Sequence, residues 1–226
     1  MAHFDSDGEF LVRPALARSE SVRSALNCLV ATNKLPLPHF DRTGNLWEST
    51  KLVLEVADRV GWERDELARR ATCSAPSKQK RSLVSVGIST LGMRCVVGQM
   101  RRICPQCVAE RPWTPIEWEL RVNTACHLHA CLLVQKCSVC GTALAWLAHA
   151  PACRRCGQMW RAMEVVSAPE WAVELAEWLK SSVSRSLRGV LTDGKHGVQL
   201  RLDKLLLIID VLRLEIMPQW LDGKLL

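Results

Sequence analysis

No stretch of this chain is long and apolar enough to span a bilayer. The longest apolar run near its end, Leu205-Leu206-Leu207-Ile208-Ile209, stops at Asp210, against the ~20 residues that a spanning helix needs. An apolar leader is not expected either. The opening Met1-Ala2-His3-Phe4-Asp5-Ser6-Asp7-Gly8-Glu9 is acidic, so a secretory signal is not expected, nor the oxidising compartment that a disulfide framework requires. A soluble protein in a reducing cytoplasm is the expectation. Zinc deaminases need a His-x-Glu that carries a metal ligand and the general acid/base, and neither His3 nor His39 begins one. Tyrosine is absent beside nine Trp and three Phe, an imbalance that points to no particular chemistry.

Cysteine, in contrast, is dense, with eleven in 226 residues. Eight of the metal-type residues fall into four successive pairs with two residues between the members: Cys104-Pro105-Gln106-Cys107, Cys126-His127-Leu128-His129, Cys137-Ser138-Val139-Cys140 and Cys153-Arg154-Arg155-Cys156. A two-residue gap lets a tight turn aim both side chains at one ion, and two such turns complete the tetrahedron that Zn2+ prefers. Scattered core thiols do not repeat one gap four times. The sequential assignment gives Cys104, Cys107, Cys126 and His129 to one Zn2+, and Cys137, Cys140, Cys153 and Cys156 to a second. His127 and Cys131 lie close enough to replace a ligand of the first set, and the pairs could also interleave. Filled four-ligand sets leave no open coordination position, so catalysis is not expected.

The formal charge of +7 favours a polyanionic partner. The helical signals come before and after the cysteines. Val22, Ala25, Leu26, Leu29 and Val30 recur at helical spacing behind cap-type residues 19–24. Leu52, Val53, Val56, Ala57 and Val60 define another helix, ended by Gly61; after Trp62, residues 63–72 carry Leu67, Ala68 and Ala71 on a further one. Two short helices hinged at a glycine have the outline of a helix-turn-helix over about 48–72, and an ordinary helical hairpin has the same outline. Its second helix brings Arg64, Arg69 and Arg70 as candidates for nucleic-acid contact. Lys78, Lys80 and Arg81 follow in a Ser/Pro-rich segment, Arg101 and Arg102 lead into the first pair, and Arg154 and Arg155 sit between the last two cysteines. Residues 83–97 are mixed, apolar stretches interrupted by glycines. Beyond Val166, Trp171, Leu175, Trp178 and Leu179 form a helical stripe near Pro169, and an apolar helical repeat runs from Leu202 to Ile216. The expected fold is mainly α with small zinc-ribbon or zinc-knuckle β elements. It comprises a helical N-terminal domain (1–98), tandem zinc modules (99–166) and a helical C-terminal region (167–226).

The cysteine stretch also resembles a known family. Arg102-Ile103-Cys104-Pro105-Gln106-Cys107, Trp118-Glu119-Leu120-Arg121 and Cys126-His127-Leu128-His129-Ala130-Cys131-Leu132-Leu133 are similar to the TniQ family. There a Cys-Pro-x-Cys pair precedes a Trp-containing segment and a Cys-Pro-x-His-Gly element with two leucines, and two Cys-x-x-Cys-Gly elements follow. Cys140-Gly141 and Cys156-Gly157 match the latter, and Glu20-Ser21-Val22-Arg23-Ser24 resembles the family's opening Glu-Ser-Leu-x-Ser helix. The resemblance covers roughly the first three quarters of the chain; His127 stands for the usual proline and Ala130 for the usual glycine. It implies a non-catalytic target-selection factor of a bacterial mobile element. Such a factor binds target DNA, or in some relatives an RNA-guided effector complex, and recruits an AAA+ transposition ATPase. A homodimer is open, a membrane partner is not expected, and the location is cytoplasmic, nucleoid-associated when bound. The other function class that fits is a zinc-ribbon, helix-turn-helix transcription regulator.

Overall fold

A computed structural model describes residues 12, 15–34, 56–70, 73–74, 83–86, 89–92, 95–97, 100–111, 113–144 and 151–188. The first half of the expected helix before Gly61, the basic residues Lys78, Lys80 and Arg81, and the apolar repeat 202–216 lie outside them.

The first helix, α1 (Val22–Thr32), is capped by Ser21, whose side chain accepts from the Ser24 amide at 3.0 Å. This cap satisfies a first-turn N–H that has no partner within the helix. At the other end Asn33 closes it, donating from Nδ2 to the Leu29 carbonyl at 3.0 Å. The periodic residues Val22, Leu26, Leu29 and Val30 are buried against Val56, Ala57, Val60 and Leu67, so α1 packs on the helical hairpin. Removing one such side chain, Leu29→Ala for instance, costs about 2–5 kcal/mol.

The hinge of that hairpin is as the sequence indicates. Residues 56–60 are helical, Gly61 takes φ +75°, and α2 (Arg64–Arg70) follows. Trp62 N–H reaches back to the Ala57 carbonyl at 2.9 Å and Gly61 N–H to Asp58 at 3.4 Å, the paired bonds of a glycine-terminated helix. The φ explains the glycine, since a Cβ is disfavoured in that conformation.

A three-stranded antiparallel sheet then occupies part of the N-terminal region expected to be helical, most of it within the stretch whose pattern is mixed. Its strands β1 (Cys73–Ser74), β2 (Leu83–Val86) and β3 (Ser89–Gly92) lie in that order, with Val84 opposite Leu91 and Val86 opposite Ser89. Only two residues join β2 to β3, the length that favours a hairpin. The sheet was masked in the sequence because its strands are too short to show alternation against their glycine-rich flanks.

The cysteine region opens with α3 (Pro105–Glu110) and continues through a 3-10 turn (Ile116–Glu119) into the hairpin β4 (Ala125–Cys126) and β5 (Cys131–Leu132). Beyond it lie two smaller hairpin-like bridges, Lys136 to Ala143 and Ala152 to Met159. The last described element, α4 (Glu170–Leu187), starts after Pro169. It does not stand apart as a tail. Leu179 and Val183 share a buried cluster with Val86 and Leu91 of the sheet and with Ile116 and Leu120, while Ala172 and Ala176 pack on Ala125. Among the described residues no helix is long and apolar enough to cross a membrane.

The opening Glu20–Ser24 segment ties α1 to the cysteine region. Ser21 N–H bonds the Thr114 carbonyl at 3.1 Å and Thr114 N–H bonds Ser24 Oγ at 2.8 Å, while Ser24 Oγ donates to Glu20 at 3.0 Å. Arg23 donates to the Val97 carbonyl at 3.0 Å and lies 3.7 Å from the Glu119 carboxylate. Burial pushes the Glu20 carboxyl above its usual range against its hydrogen bonds to Ala17 and Ser24. These polar residues therefore face inward, and their motif is a clasp.

Candidate metal centres and cationic residues

The first centre grows out of the start of α3. Pro105 fits the first helical position, where its missing N–H has no consequence, and Cys104 caps the helix, its Sγ accepting from the Cys107 amide at 3.5 Å. That turn aims both thiols the same way. The β4–β5 hairpin brings in the remaining two ligands. His129 Nδ1 lies 3.5 Å from Cys104 Sγ, 3.3 Å from Cys107 Sγ and 3.7 Å from Cys126 Sγ, and Cys107 Sγ lies 3.6 Å from Cys126 Sγ. Zn–S bonds of ~2.3 Å and Zn–N bonds of ~2.0 Å give tetrahedral edges of about 3.5–3.8 Å. The donor set fits.

Crowding of the thiols points the same way. The contacts with Cys107 and Cys126 hold the Cys104 thiol far below its usual range, to about 2, and contact with Cys104 pushes the Cys107 thiol far above it. One thiol cannot ionise there without raising the proton affinity of its neighbours, the condition a dication relieves.

The second centre consists of twin turns. Cys137 N–H bonds the Thr142 carbonyl at 2.9 Å and Gly141 N–H bonds the Cys137 carbonyl at 2.9 Å; Cys153 with Gln158 and Gly157 with Cys153 repeat this at 2.8 and 2.9 Å. Gly141 and Gly157 take φ +67° and +75°, which is why each Cys-x-x-Cys is followed by glycine. Cys137 Sγ lies 3.5 Å from Cys156 Sγ, and Cys140 Sγ lies 3.5 Å from Cys153 Sγ. The Thr142 hydroxyl beside Cys140 lowers that thiol to about 6.

In each set the four ligand atoms lie within 4.8 Å of one another, so the pairs group sequentially and do not interleave. Each set could hold a zinc ion. Neither alternative ligand joins the first set. Cys131 Sγ sits 3.4 Å from Cys104 Sγ alone among the sulfurs, and the half-buried His127 ring has no hydrogen-bond partner among the described residues. Burial lowers the His127 pKa, keeping that ring neutral.

Two further residues at the first centre escaped the sequence reading. Glu110 Oε1 accepts from His129 Nε2 at 2.9 Å, and Arg111 donates to Cys107 Sγ at 3.4 Å with its guanidinium 4.3 Å from the Trp113 ring centroid. The spacing from Cys107, three and four residues on, was the available signal.

The cationic candidates divide sharply. Arg101 is 1% exposed, lies 4.7 Å from the Trp160 ring centroid and is driven down to about 10 by burial, which still leaves it charged at neutral pH. Arg102 donates from one nitrogen to the carbonyls of Leu120, Arg121 and Asn123 at 3.2, 3.0 and 2.6 Å; it braces the turn entering β4. Arg70 is buried and bonds the Ala17 carbonyl and Glu66. These three point inward and do not offer themselves to a phosphate. Arg64 is exposed but paired with Asp58, and α2 carries Asp65 and Glu66 in its first turn, a mixed surface unlike a major-groove reader. Arg69 lies on the α2 backbone. Arg154 and Arg155 are exposed, as are Lys136 and Arg161.

The TniQ family model matches residues 11–133 of the chain. The match ends at Leu133, so it takes in the Glu20–Ser24 clasp and the whole first centre and stops short of Cys137. It is narrower than the three quarters suggested by the motifs. No curated protein sequence matches the chain.

Proposed function

Since the chain belongs to the TniQ family, whose association is with transposition, we propose that it is a non-catalytic target-selection adapter. It binds target DNA, or a complex already on it, and recruits an AAA+ transposition ATPase. The observation that carries the DNA part is the position of Arg154 and Arg155. They occupy the tip of the second centre's Cys-x-x-Cys turn and are exposed, while Arg70, Arg101 and Arg102 are buried. A turn closed by a metal holds its tip rigidly, so two guanidiniums there meet phosphates with little ordering cost. Lys136 and Arg161 extend the exposed positive charge of the same module.

The regulator reading depends on α2 entering a major groove, and the pairing of Arg64 with Asp58 and of Arg70 with Glu66 speaks against that use. The two donor sets are complete with protein ligands, as structural zinc sites are, which supports an adapter over an enzyme.

The test is binding of a labelled duplex to the zinc-loaded chain across a salt series. Replacing Arg154 and Arg155 by alanine together should weaken binding for all sequences alike. It should also reduce the slope of log K against log salt by about 2, since each phosphate contact contributes ~0.9. An unchanged slope would remove these residues from the interface and leave a protein-docking role.

A further inference from the structure

We infer that Glu110 and Arg111 are positioning residues of the first metal centre, setting which nitrogen of His129 faces the metal and balancing the charge of the thiolates. The inference goes beyond the transposition reading and does not depend on it.

The geometry comes from one short helix. Cys107 lies within α3 (Pro105–Glu110), and Arg111 is its C-cap. Residues three and four positions on from a helical residue share its face, so Glu110 and Arg111 stand over the thiol that precedes them. Glu110 Oε1 lies 2.9 Å from His129 Nε2. A carboxylate accepts and does not donate, so the imidazole proton sits on Nε2 and the Nδ1 lone pair is left to face Cys104, Cys107 and Cys126 at 3.5, 3.3 and 3.7 Å. A second imidazole two residues away, His127, has both nitrogens buried without a hydrogen-bond partner among the described residues. The choice of nitrogen on His129 thus has a physical agent outside the ligand set.

Arg111 acts on charge. Three thiolates and a neutral imidazole around a dication keep a surplus negative charge. The guanidinium, fixed 4.3 Å from the centroid of the Trp113 ring, donates to the Cys107 sulfur at 3.4 Å and offsets part of it. Neither side chain can itself be a ligand: the Glu110 carboxylate is spent on the far nitrogen of the ring, and Arg111 is a cation. With its side chain 60% exposed, Glu110 can be replaced without hollowing the core.

The test compares metal release from the two centres in the full zinc-loaded chain, the second serving as internal reference. Glu110→Ala should weaken zinc at the first centre by about 10–100-fold in chelator competition, as loss of such partners does elsewhere, and leave the second unchanged. Glu110→Gln, which keeps an accepting oxygen, should recover part of the loss. Arg111→Met should give a smaller loss confined to the same centre. Two-bond proton–nitrogen NMR correlations of wild-type His129 should show the metal on Nδ1 and the proton on Nε2, a signature that a merely structural contact would not fix. Metal on Nε2 would overturn the inference. So would release from the first centre that is indifferent to Glu110→Ala, equal weakening of both centres, or a wild-type chain that takes metal only at the second.

Discussion

The two candidate metal centres offer nearly the same ligand chemistry and sit in the protein quite differently. Cys104, Cys107 and Cys126 are at most 1% exposed and belong to a cluster with Trp118, Cys131 and Leu133. Through Thr114, Pro115 and Glu119, the segment between the first two ligand pairs also receives α1 and residues 95–97. The second centre ends on an exposed Cys156 and carries exposed residues within its two turns, Val139 at 66% exposure in one and Arg154 and Arg155 in the other. The first centre is a junction for the rest of the fold, and the second is a platform joined to it by Ile103, Leu144 and Trp160. The family match, which spans the first and omits the second, follows the same division.

Cysteine substitution should separate the two most strongly. A structural zinc site supplies roughly 10 kcal/mol or more of folding free energy. Cys104→Ser should therefore abolish the cooperative thermal transition of the chain along with the first zinc. Cys153→Ser should release one zinc and unfold the two small turns, with the amide protection of α1 and α4 retained in hydrogen exchange. Equal collapse in both variants would make the two centres a single folding unit.

A pH dependence carried by a buried carboxyl should mark the first region. Glu117 lies in the 3-10 turn, is 2% exposed, and burial drives its carboxyl up to about 7 from the ordinary 4.5. The fold favours the protonated acid. That stabilisation is complete below about 4.5 and is lost as pH rises through about 7. Glu117→Gln should therefore be more stable than the wild type above pH 7, by on the order of 3 kcal/mol, with the advantage shrinking as pH falls below 7 toward 4.5. Denaturant unfolding between pH 6 and 8.5, in excess zinc, checks this; a difference that is flat with pH would show that Glu117 stays charged or neutral throughout.

The smallest contrast concerns one turn residue in each module. Ala130 holds φ +47° where Gly141 and Gly157 hold +67° and +75°. A Cβ added at Gly141 meets nothing within 4 Å, so the difference between alanine and glycine there is one of backbone strain alone. Ala130→Gly should stabilise the first module by about 0.5–1 kcal/mol, and Gly141→Ala should destabilise the second by about 1 kcal/mol. Opposite signs in zinc-loaded melts would confirm that the first module carries strain that the second avoids.

The sequence alone was enough to pick out the four pairs, because a repeated two-residue gap is a local geometric constraint that survives any tertiary arrangement; their sequential grouping into two sets came from the fold. The α1 face and the Gly61 hinge were legible for the same reason: caps, periodicity and a positive φ are properties of a few neighbouring residues. Burial of polar groups is decided by residues far apart in the chain, and there the sequence was silent. Arg101 and Arg154 look alike in sequence, each one of a pair of arginines next to or between metal ligands. Trp160, 59 positions beyond Arg101, stacks over the first, while the second is exposed. Glu20 and Ser24 likewise read only as cap-type residues until Thr114 arrives against them. The three-stranded sheet needed α4 from the other end of the described chain to cover Val86 and Leu91, since strands this short have no apolar face of their own large enough to be stable. Metal chemistry was written locally, and the sorting of its cationic neighbours into struts and exposed tips was left to packing.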